Sequence, residues 1–172
     1  MISKALGLIE QALRFNVDAW AIGMQMRVSN IADFESRMHV ASAHRWAAAL
    51  YIAQAIPALR QRSPVSTVAL VENILFHLNR IGERDAHFKA TSWPTFIAGA
   101  ETNEPKIREW ALHRLYAVWH HCPWGYIFKA IEALKASWRL QDRRPVGVRI
   151  SWLEEVKAWR EMKELDPDCL IV

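Results

Sequence analysis

Large apolar side chains recur at three- and four-residue steps along most of the chain, and nowhere do they alternate with period two for long enough to make a strand. That spacing predicts an all-α fold. Over 3–27, Leu6, Ile9, Leu13, Val17, Trp20 and Met24 form one helical stripe. Asn30 or Asp33 would cap a second, long helix over 32–60. Its segment HVASAHRWAAALYIAQAI is rich in alanine, the best helix former, and its apolar residues nearly encircle the axis. Such a helix belongs between others, and Pro57 should kink or end it.

Ser63 followed by Pro64 reads as the start of a third helix, a hydroxyl N-cap with proline in the first turn. Its stripe is Val68, Val71, Leu75 and Leu78, widened by Ile74 and Ile81, and Gly82 would close it. A fourth helix is expected over 86–101 with Pro94 inside it or at its start. Pro105 opens a fifth, with Ile107, Trp110, Ala111, Leu115, Val118 and Trp119 on one face, and Cys122-Pro123 stops it. A sixth, over 124–140, carries the cleanest stripe: Trp124, Ile127, Phe128, Ile131, Leu134 and Trp138. Ser151 to Glu154 has the pattern of a capping box opening a last helix that ends near Leu165. The expectation is one domain over 1–172, a bundle of about seven helices with irregular orthogonal and antiparallel packing. No repeat recurs at a fixed period.

The bulk chemistry narrows function more than it defines it. A hydrophobic content of 52% is ample for a core. The net charge of +4, from 22 basic and 18 acidic residues, is too small and too scattered to mark a nucleic-acid surface. Cys122 and Cys169 are the two cysteines, which rules out a disulfide framework or a Cys-rich zinc module and fits a reducing compartment. The opening MISKALGLIEQALRF is broken by Lys4, Glu10 and Gln11 before any apolar run reaches membrane-spanning length, so neither a signal peptide nor a membrane partner is expected.

The most unusual stretch is TSWPTFIAGAETNEP, 91–105. Proline and glycine both weaken helix interiors, yet both sit here in an apolar run. Ala98, Gly99 and Ala100 present almost no side chain, so another helix can approach their backbone, while Trp93 and Phe96 fill space a turn away. Pro94 is tolerable in a first turn. The segment therefore reads as a structural helix crossing.

The same segment resembles a known family. WPTFIAGAE, then REWALHRLYAVWH, IFKAIEALKASW and SWLEEVKAWREM, is similar to the C-terminal part of the fungal-specific transcription factor domain, the helical regulatory region of fungal zinc-cluster activators. Trp93, Pro94, Phe96, Ala98, Gly99 and Glu101 match its first element; Arg108, Leu115, Leu134 and Trp138 match the next two; Trp152 matches the last. The resemblance runs from about Phe34 onward and implies a helical regulatory domain, transcription regulation, a dimer or another protein partner, and a nuclear location. It does not extend to DNA binding. The family's zinc cluster needs six cysteines, and this chain has two, forty-seven positions apart, so no metal, cofactor or direct nucleic-acid contact is expected.

If the N-terminal helices of that family's regulatory region are absent, the surface they would cover is bare here. Leu6, Leu13, Trp20 and Met24 on the first helix are the candidate interface. Nine tryptophans raise a second possibility, an aromatic pocket for a hydrophobic effector beneath the 93–101 helix, framed by Trp93, Phe96, Trp110 and Trp119. Core packing is the plainer role for most of these rings, including Trp46, Trp124 and Trp138.

Catalytic and metal signatures are weak. His113 and His120 share a helix face but lie about 10 Å apart along the axis, His121 points elsewhere, and zinc needs ligands at about 2 Å. His39, His44, His77 and His87 fit no triad, dyad or phosphate-loop spacing. No catalytic residue is assigned. Arg139, Arg143, Arg144 and Arg149 interleave with Asp142 and read as a solvated face. The rival function is a stand-alone cytoplasmic protein that binds or converts a hydrophobic metabolite in a Trp/His-lined cavity.

Overall fold

A computed structural model describes residues 2–25, 33–60, 62–143 and 151–154, and these are helical throughout with short turns between. The helices are α1 (Ile2–Arg14), α2 (Val17–Gln25), α3 (Phe34–Ala55), α4 (Thr67–Leu78), α5 (Ser92–Ala100), α6 (Pro105–His121) and α7 (Gly125–Asp142). Single 3-10 turns follow α3 (Pro57–Leu59) and precede α5 (Phe88–Thr91). The extension of the last helix to Leu165, the candidate cap Asn30, Cys169, Arg144 and Arg149 lie outside the described residues.

Two helices organise the packing. α3 touches α1, α2, α4 and α5, while α5 touches α3, α4, α6 and α7. α3 can serve so many neighbours because most of its buried positions are small: Ser42, Ala43, Ala47, Ala49 and Ala53, with Leu50 and Gln54 the two larger ones. Its encircling apolar pattern therefore means burial, as the sequence implies. Near its end, Gln54 Nε2 donates to Thr67 Oγ1 at 2.9 Å and ties it to the start of α4.

α5 is the innermost element. Of its nine residues all but Trp93 are buried. Pro94 falls in the first turn, where its missing N–H would have had no helical partner. Thr91 Oγ1 and Thr95 Oγ1 satisfy the carbonyls of Phe88 and Thr91 at 2.6 and 2.7 Å, so these buried hydroxyls carry no unmet hydrogen bond.

Several boundaries differ from the sequence reading. The first stripe is not one helix: it breaks at Phe15-Asn16, because Asn16 Oδ1 accepts from the Ala19 N–H at 2.9 Å and caps a new helix. α4 starts at Ser66 rather than Ser63; Ser66 Oγ accepts from Ala69 N at 3.2 Å, while Ser63 Oγ closes a local turn onto Val65. As a result Val68 is 65% exposed, and Leu70 joins Val71, Ile74 and Leu78 on the buried face. α4 also ends at Leu78, four residues before Gly82, with Asn79 as its C-cap. The predicted fourth helix is a 3-10 turn joined to a shorter α-helix. On α7 the buried face is Ile127, Ile131, Leu134 and Trp138, whereas Trp124 and Phe128 are exposed. Ser151 caps the last described turn by accepting from Leu153 N at 3.3 Å, but Glu154 completes no capping box and pairs with Arg60 at 3.2 Å.

The start of α4 gives a direct check. Ser66→Ala should lower unfolding free energy by about 1 kcal/mol, within the usual N-cap range, and Ser63→Ala by clearly less. Urea denaturation of the two variants measures the difference, and the reverse ranking would restore the earlier start.

Candidate functional site

Gly99 sits at a near-contact of three helices. A Cβ built on it would lie 2.9 Å from Ala111 Cβ on α6, 3.4 Å from Leu134 Cδ1 and 3.6 Å from Trp138 Cζ2 on α7. Ordinary carbon contacts are about 3.5–4.0 Å, so the first of these is a clash with a side chain that cannot turn away. Ala98 and Ala100 are buried on either side. The Trp138 indole N–H donates to the Gly99 carbonyl at 3.0 Å, a bond that fixes α7 to the backbone of α5.

Arg108 locks the same corner. Its Nε donates to Thr102 O at 3.2 Å, Nη1 to Asp142 Oδ1 at 2.8 Å and Nη2 to Gln141 Oε1 at 2.9 Å. Its guanidinium lies 5.3 Å from the Trp138 ring centroid. On the other side of α5, Trp152 meets Phe96 edge-on at 4.9 Å, and buried Ser151 donates to buried Glu101 at 3.5 Å. The residues quoted for the family resemblance thus meet around α5. Their chemistry is packing and hydrogen bonding.

The four aromatics expected to frame one pocket are not brought together. Trp93 and Phe96 line a void of about 40 Å³, too small for an organic ligand, and Trp93 stacks on His44 at 5.5 Å. Trp110 borders a separate cavity of about 240 Å³ and donates to Asn79 Oδ1 at 2.9 Å. Trp119 packs on Phe128 at 6.0 Å.

The larger space lies elsewhere, an open groove of about 820 Å³ between α1, α2 and α3. Leu8, Ala12, Phe15, Trp20 and Met24 form its apolar wall. Of the residues expected at an interface, Trp20 and Met24 line this groove, while Leu6 and Leu13 pack against the core. The break at Asn16 explains the split, since a stripe counted through it loses its phase. Leu8, Phe15, Trp20 and Ile22 are the large apolar residues α1 and α2 and their junction leave exposed.

Charged and titratable groups sit mostly in pairs. Arg114, nearly buried and not singled out by the sequence, donates from Nη2 to Ile81 O at 2.8 Å and from Nε to Thr91 Oγ1 at 3.3 Å, against the Phe88 ring. Burial pushes it down to about 10, with Glu83 acting in the opposite sense, so it stays a cation at neutral pH. His121 lies 3.8 Å from Glu83 and His120 lies against Trp119. Among the described residues no group of three or more His, Cys, Asp or Glu side chains is placed to hold a metal ion. His39 and His77 meet at 3.0 Å, Nδ1 to Nδ1, linking α3 to α4. One ring must donate and the other accept, which a second proton would prevent. Burial foremost, then His39, Arg45 and Arg80, lower His77 to about 4.

Among the described residues, the helices carry a motif spent on packing and an open, largely apolar groove. The chain belongs to the fungal specific transcription factor domain family, whose profile matches residues 4–165. It is 37% identical over 179 aligned positions to the acriflavine sensitivity control protein acr-2 of Neurospora crassa; the alignment covers 99% of this chain and 29% of that protein. The chain therefore spans under a third of that relative's length. No solved structure matches it. Family and relative support a regulatory role rather than an enzymatic one, and among the described residues no helix is long and apolar enough to cross a membrane.

The histidine pair predicts acid sensitivity of a definite sign. His77 has a folded pKa below the ordinary histidine value of about 6.5, so the unfolded chain binds a proton the folded chain refuses. Stability is full above that pH and falls as pH drops toward about 4. Partly buried His44, also lowered, acts in the same direction. Urea midpoints at successive pH values should decline over this window, and His77→Gln should flatten the decline; an unchanged slope in the variant would remove His77 from the account.

Proposed function

We propose that this chain is a nuclear regulatory domain that works by contact between two copies through its N-terminal helices. The supporting observation is the grouping of exposed apolar side chains there: Leu8 is 52% and Ile22 48% exposed, with Phe15 and Trp20 between them in sequence. Scattered exposed apolar residues are ordinary, but several on two adjoining short helices, beside an apolar groove, have the character of a contact surface. α1 and α2 also rest mainly on α3, so a partner there can report to the core through one helix. A domain of this family fits such a role, and the tight packing around Gly99 gives it a fixed frame.

A second reading, a small hydrophobic effector acting with or without a partner, is favoured by the groove of about 820 Å³. That volume is within the usual range for ligand pockets, about 300–1,000 Å³.

Sedimentation velocity from low to high micromolar protein tests the main reading. The wild-type chain should shift toward a dimer as concentration rises. Leu8→Glu combined with Ile22→Glu should sediment as a monomer throughout, with unchanged helical content. A wild-type chain monomeric over the whole range would sink the proposal.

A further inference from the structure

The groove under the N-terminal helices has two unlike walls. Leu8, Phe15, Trp20 and Met24 supply the apolar side. α3 lines it with Arg37, His44 and Arg45 set among Val40, Ala41 and Ala48, and the loop before α5 adds His87. Among the described residues, no aspartate or glutamate lines it.

Two polar atoms on the basic side lack a hydrogen-bond partner although both are buried: Arg45 Nε and His87 Nε2. Other atoms of the two residues are anchored. Arg45 Nη1 donates to Phe15 O at 3.0 Å, at the end of α1, and its guanidinium rests 4.8 Å from the centre of the Trp46 ring. The His87 backbone N–H donates to Asp85 Oδ1 at 2.7 Å, and Asp85 also accepts from Ser36 Oγ. His44 donates from Nε2 to Ala90 O at 2.8 Å, so it forms wall rather than head-group contact. Asp18 is the acid whose field reaches Arg45, and it lies outside the groove lining.

Buried polar atoms without partners are rare and costly, and a cation beside them makes a negative acceptor the natural complement. A neutral apolar molecule would leave both unmet; an organic cation would face Arg45. From this charge complementarity we infer that the groove is a binding site for an amphipathic organic anion, a carboxylate on an aliphatic or aromatic body. The carboxylate is held by Arg45 and His87 after a small turn of either side chain, and the body lies along Phe15, Trp20 and Met24. Because the anion would bridge α3 to the end of α1, its binding also braces the N-terminal helices. The inference does not depend on self-association.

Isothermal titration of the chain with decanoate, 1-decanol and decyltrimethylammonium, which share a tail and differ in head group, tests it. Decanoate should bind saturably with one site per chain, at least about tenfold tighter than the other two, the scale of one charge-assisted hydrogen bond. Arg45→Gln should remove that preference. Because Arg45 also anchors the end of α1, Ala41→Phe is the companion variant; it fills the groove from α3, keeps every charge, and should abolish decanoate binding with the unfolding transition unchanged. No saturable decanoate binding, equal affinity for the three head groups, or decanoate binding undiminished by Ala41→Phe would overturn the inference. A dimer that forms while decanoate fails to bind would leave the self-association proposal standing, and the reverse result would separate them the other way.

Discussion

Three helices can meet around α5 because one position on it has no side chain. At Gly99 the backbone of α5 comes so close to Ala111 that a single added carbon would overlap it, and α7 closes the third side with Leu134 and Trp138. Two opposing terms decide whether glycine belongs there. In a helix interior glycine costs roughly 1 kcal/mol relative to alanine, whereas overpacking a filled core costs about 1–3 kcal/mol. Where the neighbour is an alanine Cβ on another helix, the overpacking term should win. The Trp138 bond to the Gly99 carbonyl, and Arg108 laid over Trp138, then convert a close approach into a fixed one.

The N-terminal helices lie outside this tightly packed corner. α1 and α2 rest on α3, outside the region around Gly99, and their outer apolar residues are not covered within the described chain. The two regions are joined by α3, which packs against α1 and α2 as well as α5, and whose His44 both lines the groove and stacks on Trp93. Under the proposed function, such a domain would keep its frame while the N-terminal helices take a partner or a ligand. The family membership gives that division of labour a regulatory meaning, and the residues that carry the family likeness fall on the frame.

Helix content and the buried role of the 93–101 stretch were legible from spacing and side-chain size alone. Phase errors account for most of what was not. Asn16 and Ser66 each outcompeted a plausible continuation by capping a nearby N–H, and each shifted which apolar residues face inward: Leu6 and Leu13 pack against the core, and Val68 turned outward. Trp124 was misplaced for a different reason, since it is the N-cap of α7 and lies outside the helical repeat. The candidate pocket was illegible because Trp93, Trp110 and Trp119 belong to different packing faces, a tertiary fact that no single-helix pattern contains. Arg114 carried no sequence signal; its burial follows from carbonyl and hydroxyl acceptors supplied by distant turns.

The central claim is that backbone proximity between Gly99 and Ala111 holds the frame together. A double-mutant cycle by chemical denaturation, using Gly99→Ala, Ala111→Gly and the pair together, addresses it most directly. Each single change should destabilise the protein, and the pair should be more stable than the sum of the two losses predicts by about 1 kcal/mol or more, since the second change makes room for the first. Additive losses, or a stabilising Gly99→Ala, would mean that the two positions do not touch and that the frame is held elsewhere.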